Sequence, residues 1–261
     1  MDICPICDSG RREIFTAEIL HQYKIKYFFC DNCGFLQTEE PFWLNEAYSN
    51  AIADTDTGIV ARNLSISKKL TCILYFLFNK EGKYLDVAGG YGLLTRMMRD
   101  IGFNFYWQDV YCQNIFAEGF EFNDTTNPFS AITAFEVLEH VYQPINFIKQ
   151  SLSEAETKTI IFSTELFQGR PPQPDAWDYY AHETGQHISF YQYSSLQHIA
   201  RKLSLNLYSH KNLHILTDKK FNSLYWNFLV GRLSKGIYLF AKKRIQSKTY
   251  QDFQKIKQGQ R

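Results

Sequence analysis

Four cysteines near the start of the chain have the spacing of a metal site. Cys4-Pro5-Ile6-Cys7 and Cys30-Asp31-Asn32-Cys33 are two C-x-x-C pairs. Each pair turns the backbone into a tight knuckle on which two thiolates converge. Two knuckles complete a tetrahedral four-sulfur shell suited to Zn2+. Four thiolates also suit an iron–sulfur cluster, but nothing else in the chain points to redox work. With sulfur at all four positions no place is left for a catalytic water, so the metal is expected to be structural. Between the knuckles, Tyr23–Phe29 alternates apolar and basic residues as a half-exposed strand does. Strand, knuckle, Gly34 and Phe35 together read as a zinc ribbon.

A second group of chemistry-bearing residues lies in the middle of the chain. Lys83–Val87 (KYLDV) is a short apolar strand that breaks into Ala88-Gly89-Gly90-Tyr91-Gly92, and the strand-like run Phe103–Trp107 ends in Gln108-Asp109. Glycines let backbone approach a ligand closely, and an acid ending the second strand accepts hydrogen bonds from both hydroxyls of a ribose. The dinucleotide pattern G-x-G-x-x-G fits badly, because its third glycine would fall on Thr95, and no Gly-Lys-Ser/Thr follows. A ligand with a ribose but no phosphate remains, and S-adenosylmethionine is the commonest. Asp86 stands where it would meet the ammonium of such a ligand, directly or through water.

The elements that position these residues alternate. A helix follows the glycine loop, with Leu93, Leu94, Met97, Met98 and Ile101 on one face and Gly102 as its stop. Ala131–Phe135 and Thr159–Ser163 are buried-strand candidates, and Glu136–His140 reads as an acidic helical opening. Tyr193–Leu203 is a helix with Leu196, Ile199, Ala200 and Leu203 on one side, and Leu205–Tyr208 and Asn212–Leu216 are late strands. Such alternation predicts an α/β fold, a doubly wound and mostly parallel sheet whose ligands sit beyond the carboxyl ends of its strands. The composition agrees: 45% of the 261 residues are apolar and 21% charged, which excludes wholesale disorder. Lys+Arg 28 against Asp+Glu 27 argues against a chain built to coat nucleic acid. The 16% of aromatic residues suit large packed surfaces or a pocket for flat or sugar-like ligands. Met1–Gly10 has cysteines where a secretory segment is apolar, and Phe221–Gly231 falls short of the roughly 18–20 residues of a membrane span. The expected address is cytoplasmic, where thiols stay reduced and Cys72 and Cys112 are core residues.

Asp86-Val87-Ala88-Gly89-Gly90-Tyr91-Gly92 resembles the first motif of class I methyltransferases, D/E-x-G-x-G-x-G, with Ala88 in place of the first glycine. Asp109 is placed like the ribose-binding acid of that family. Ala131–His140, with Pro144 after it, is similar to the fourth-strand motif of the branch holding ubiquinone-type O-methyltransferases and sugar methyltransferases. His187-Ile188-Ser189-Phe190-Tyr191 resembles the late H-x-S-F segment of the same branch. The resemblance covers roughly residues 80–210. A zinc-binding start fused to such a domain is similar to deoxysugar C-methyltransferases, which usually carry a further C-terminal domain. What the resemblance implies is a Rossmann-like, seven-stranded methyltransferase sheet with a small N-terminal zinc ribbon and a C-terminal helical tail. The segments are 1–45 for the ribbon, 46–217 for the S-adenosylmethionine-binding domain and 218–261 for the tail. The implied cofactor residues are Asp86, Ala88, Gly89, Gly90, Gly92, Asp109, Val110 and Phe135.

Methyl transfer from a sulfonium is an in-line displacement, so the protein must position the acceptor and take up any proton it loses. The family-like Glu-His after strand four makes His140 the first candidate base and His187 the second. Glu139 or Glu183 would orient either histidine or bind substrate. The loop Gln168–Gly185 is rich in proline, aromatics and acids. Trp177, Tyr179 and Tyr180 are suited to stacking on a sugar, and Asp175 and Glu183 to binding its hydroxyls; a pinned surface loop is the plainer alternative. Asp54–Asn63 lies between ribbon and domain and would close over the cofactor, although Arg62 reads more simply as a solvated helix residue. In the tail, Phe221, Leu224, Tyr225, Phe228, Leu229 and Leu233 form an apolar stripe followed by basic residues. It suits packing on the domain or across a dimer, with peripheral membrane contact as the alternative. The expected partner is a small-molecule or sugar acceptor of glycan metabolism. An RNA methyltransferase gripping nucleic acid with its ribbon, and a non-catalytic binding module, are the competing readings.

Overall fold

The computed structural model describes residues 2–48, 56–123 and 128–259. Its elements are β1 (Asp2–Ile3), β2 (Gly10–Ile19), β3 (Tyr23–Cys30), β4 (Phe35–Thr38), α1 (Leu44–Ala47), α2 (Ile59–Leu77), β5 (Lys83–Val87), α3 (Leu93–Ile101), β6 (Asn104–Gln108) and β7 (Ala131–Ala134). After a 3-10 turn at Leu138–His140 come α4 (Pro144–Glu154), β8 (Thr159–Ser163), 3-10 turns at Pro174–Ala176 and Asp178–Tyr180, β9 (Ser189–Phe190), α5 (Tyr193–Leu203), β10 (Asn206–His210), β11 (Leu213–Thr217), α6 (Ser223–Val230), α7 (Ser234–Lys242) and α8 (Thr249–Lys257).

Two sheets result. One has the order β1-β2-β3-β4-β9, and the other the order β10-β11-β8-β7-β5-β6. In the second, β5 pairs in parallel with both β6 and β7, while β10 and β11 close the far edge as an antiparallel pair. This is the mixed α/β sheet of a Rossmann-like fold. Its strand order reverses at β5, and a crevice opens at the carboxyl ends of strands where the order reverses. Among the described residues this sheet has six strands rather than seven. Beyond β6 only a single parallel bridge, Trp107 to Glu121, stands where a seventh would run. There Gly119 turns the chain at φ +84° and donates its N–H to the Glu121 carboxylate.

The chain divides into two compact units. The first comprises Met1–Ala53, Phe135–Gln150 and Ile161–Asp218. It buries an aromatic cluster in which Tyr27, Tyr180 and Phe190 are almost fully inaccessible. Tyr180 meets the Tyr27 ring edge-on at 5.7 Å, and Trp177 lies against Phe167 and Phe190 while its indole N–H donates to Glu165. Trp177 and Tyr180, expected to stack on a ligand, are thus spent on this core. Glu183 and Asp175 are exposed.

The second unit comprises Asp54–Ala134, Ser151–Ile160 and Lys219–Arg261. The face of α3 that holds Leu94, Met98 and Ile101 is buried, as its period predicts. The same helix buries Arg99, whose guanidinium donates to both oxygens of Asp252 on α8 at 2.8 and 2.7 Å. Burial alone would raise the Asp252 carboxyl, but the bonds from Arg99 and Arg96 hold it below its ordinary value. α8 is thereby tied to α3. Cys72 is fully buried, as expected, whereas Cys112 is only half-buried. Arg62 pairs with Asp56 at 2.6 Å. Asp54 and Thr55, the start of the segment read as closing over a cofactor, lie outside the described residues.

Candidate active site

In the second unit the loop after β5 is shaped by contacts that only small residues allow. A Cβ on Gly89 would stand 2.9 Å from the Asp86 carboxylate and 2.9 Å from the Trp107 ring. Gly92 sits at φ +85° and caps α3, and a Cβ there would meet the Asn114 side chain at 2.7 Å. Ala88 is also left-handed, at φ +53°, a conformation costing an L-residue about 1–2 kcal/mol. Asp109, at the end of β6, folds back on the loop. It accepts from the Gly90 N–H at 2.9 Å and from the N–H groups of Tyr111 and Cys112 at 2.7 and 2.8 Å. The Trp107 indole donates to the Gly90 carbonyl at 2.8 Å.

Asp86 is 3% exposed and accepts from the hydroxyls of Thr133 (2.6 Å) and Thr95 (3.3 Å). Burial pushes its carboxyl up to about 7, against the lowering of those two bonds. A buried carboxylate held near neutrality is poised to ionise when a cation arrives. Asp86, Ala88, Gly89, Gly90, Gly92 and Asp109 therefore form one cluster. Val110 follows Asp109 and is fully open, at 84% exposure. Phe135 belongs to the first unit.

In the first unit, the chain leaving β7 turns through Glu136, a left-handed residue at φ +55°. Its N–H donates to the Ser163 hydroxyl, which returns a bond to its carboxylate. Buried Leu138 then anchors the 3-10 turn that carries Glu139 and His140. Three bonds sew the His187 segment to this turn: Ile188 N–H to the Glu139 carbonyl, Ser189 hydroxyl to the Val141 carbonyl and Tyr191 hydroxyl to the Leu138 carbonyl. The rings of His140 and His187 meet edge-on with centroids 4.7 Å apart. Glu139 is fully buried beside them. The ligand atoms of Glu139, His140 and His187 lie within 4.8 Å of one another.

The orientation of both histidines is set by main chain. His140 Nδ1 lies 3.1 Å from the Gln186 carbonyl and His187 Nδ1 lies 2.6 Å from the Tyr179 carbonyl. A carbonyl only accepts, so each Nδ1 carries a proton, and a neutral His140 ring therefore presents its Nε2 lone pair. Burial, with the neighbouring His187, drives His140 down to about 3, so it is neutral at physiological pH. Burial and then the Glu139 charge raise Tyr179 and Tyr191 well above the usual phenol range. The Tyr179 and Gln186 carbonyls escaped the sequence reading. Tyr179 was seen only as a ring, and Gln186 fell just outside the aromatic loop.

The four cysteines converge as their spacing requires. Cys4 and Cys33 Sγ atoms are 3.6 Å apart, those of Cys7 and Cys30 are 3.4 Å apart, and all four lie within 4.8 Å of one another. A tetrahedron with metal–sulfur distances of ~2.3 Å has edges of ~3.8 Å, so the set fits a zinc ion closely. The contact with Cys33 pulls the Cys4 thiol down to about 5 and its partner's up. Ser194 and Ser195 of α5 both donate to the Cys33 carbonyl at 2.9 Å and fix the knuckle from outside.

A protein-family model described as a methyltransferase domain matches residues 61–210, more than half of the chain. No curated protein is matched. Among solved structures, an O-methyltransferase family protein from Burkholderia thailandensis aligns at 12% identity and a TM-score of 0.46, over 69% of this chain and 68% of that one. TnmH aligns at 13% and 0.44, over 69% and 62%. An O-methyltransferase family 2 protein from Planctomyces limnophilus, in complex with apigenin, aligns at 13% and 0.40, over 67% and 65%. The chain thus spans less than two thirds of the last two.

Proposed function

Since the chain belongs to the methyltransferase-domain family and is an S-adenosylmethionine-dependent methyltransferase, we propose that it methylates a small molecule or sugar, with His140 or His187 as general base. The observation that carries this is the pair of imidazoles locked by the Gln186 and Tyr179 carbonyls. The neutral His140 ring presents Nε2 as an acceptor, which is what removing a proton from a hydroxyl or carbon acid requires. S-adenosylmethionine, when bound, supplies the electrophilic methyl group. Asp86 would meet its ammonium, Asp109 its ribose hydroxyls, and Val110 would line it. Glu139, buried beside the two rings, would stabilise the imidazolium that forms. The four cysteines would hold Zn2+ as a structural ion.

The test is calorimetric titration with S-adenosylmethionine and S-adenosylhomocysteine, with NAD as control. Micromolar binding of the first two that is lost in Asp109→Ala supports the cofactor assignment. Turnover on candidate acceptors must then fail in His140→Ala or in His187→Ala with cofactor affinity intact. If both variants keep their turnover, the base assignment falls.

A second reading rests on the same geometry. Two imidazoles and a carboxylate whose ligand atoms lie within 4.8 Å of one another are also the donor set of a divalent cation, and a carbonyl behind each Nδ1 is how metal-bound histidines are held. Metal analysis separates the two: one equivalent per chain for the cysteines alone, two if this cluster also binds an ion.

A further inference from the structure

We infer that the helices α6 and α7 form a docking surface for an anionic lipid bilayer. The first observation is a segregation of charge. Between Lys219 and Gln251 the chain has eight Lys and Arg and no Asp or Glu, which leaves 20 basic against 27 acidic residues elsewhere. A nearly neutral protein concentrates its positive charge in one stretch of the second unit.

The second observation is that the apolar residues of this stretch point both ways. On α6, Trp226, Leu229 and Val230 are buried, while Leu224, Tyr225 and Phe228 are 78, 40 and 48% exposed. At 100° per residue the two sets fall on opposite faces. The inner face is already satisfied, because α6 and α7 pack against α2 and against each other. α7 repeats the pattern: Ala241 is buried, and Leu239 and Phe240 are exposed beside exposed Lys235 and Lys243. In the turn joining the helices, Leu233 is 64% exposed next to exposed Arg232. No helix among the described residues is long and apolar enough to cross a membrane, so this face would lie on a bilayer.

The occupant must be apolar at one depth and negative at another. Nucleic acid offers the charge but no apolar layer for Leu224, Phe228 and Leu239. A second copy seated on this face would bring two strongly basic stretches together, which their mutual repulsion opposes. An anionic bilayer meets both demands. The apolar side chains enter the boundary between headgroups and acyl chains, and the basic side chains extend to the phosphates.

The test is co-sedimentation of the full chain with vesicles of phosphatidylcholine alone and of phosphatidylcholine mixed equally with phosphatidylglycerol. The protein should sediment with the anionic vesicles at low salt, stay in solution with the neutral ones, and be released by high salt. Each basic residue near an anionic surface changes binding about five-fold, so Lys242→Gln with Lys243→Gln and Arg244→Gln should weaken it by roughly a hundredfold. Leu224→Ser with Phe228→Ser should also abolish sedimentation, while both variants bind S-adenosylmethionine as before. Failure of the folded, cofactor-binding protein to sediment, equal binding to neutral vesicles, or a dimer dispersed by the serine variant would each overturn the proposal, as would retention on RNA that the serine variant leaves unchanged.

Discussion

The four-cysteine cluster and the Glu139–His140–His187 cluster both gather metal-ligating side chains in the first unit, but they are assembled differently. Each cysteine pair is made within four residues by the turn of its own knuckle, and the two knuckles are joined by the β2–β3 hairpin. The histidine pair is separated by 46 residues and is held together by main-chain bonds between the 3-10 turn and the β9 segment. On the proposed reading the first arrangement would draw folding energy from a zinc ion. In the second the orienting groups are carbonyls, which no side-chain substitution removes. A cluster built by local spacing is therefore fragile to loss of its ligand, and one built by backbone is fragile only to loss of its own side chains.

Removing the metal should break this comparison at its widest point. Structural zinc contributes ~10–16 kcal/mol in small zinc-bound peptides, enough to exceed the stability of an ordinary domain. Chelation, or Cys33→Ala, is expected to melt the β1–β4 sheet, seen as a lost cooperative transition by calorimetry. His140→Ala should do the opposite. The fold and the affinity for S-adenosylmethionine should survive while turnover falls ~10²–10⁴-fold, as measured by methyl transfer at saturating cofactor. Cofactor affinity lost together with activity would mean that His140 has a structural role.

The contrast also explains what was legible in the sequence. Lys83–Val87, Thr159–Ser163 and Tyr193–Leu203 have the predicted bounds, because apolar periodicity and the Gly and Ser punctuation around them are local signals. The cysteine knuckles were legible for the same reason. The role of Trp177 and Tyr180 was not, since an aromatic ring on a loop reads alike whether it faces a ligand or a core. What decides it is Tyr27 and Phe190, far away in sequence. The tail stripe misled in the same way. Leu229 goes in and Leu224 and Phe228 go out, because α6 is apolar all round and periodicity selects no face. Carbonyl partners such as those of Gln186 and Tyr179 leave no trace in residue type at all.

In the second unit the comparison can be sharpened by pH. Burial holds Asp86 at about 7, so if it receives the cofactor's ammonium as proposed, the free protein would have to shed a proton to bind below that pH. Affinity for S-adenosylmethionine should fall up to about tenfold per pH unit below 7 and level off above it. Asp86→Asn should flatten that dependence and weaken binding throughout, by calorimetry across the range. The sign for stability is the reverse. A carboxyl raised above its unfolded value of about 3.9 stabilises the free protein fully below that value, and the contribution is lost as pH rises through about 7.

The smallest effect tests the one residue at which the glycine loop departs from its family pattern. Ala88 is held at φ +53°, where an alanine costs about 1–2 kcal/mol relative to a relaxed backbone. Glycine adopts that conformation freely, but it loses more chain entropy on folding, at about 0.5–1 kcal/mol. The first term exceeds the second by a small margin, so Ala88→Gly should stabilise the protein by about 1 kcal/mol or less. For a chain of this size that is a rise in Tm of about 2 °C, within reach of differential scanning calorimetry. If the methyl group also crowds the ligand, affinity for S-adenosylmethionine will rise by more than stability does. If it does not, the two will move independently, and the alanine is a backbone cost carried by the loop without consequence for binding. A fall in Tm would mean that the Ala88 methyl makes packing contacts worth more than the strain it imposes.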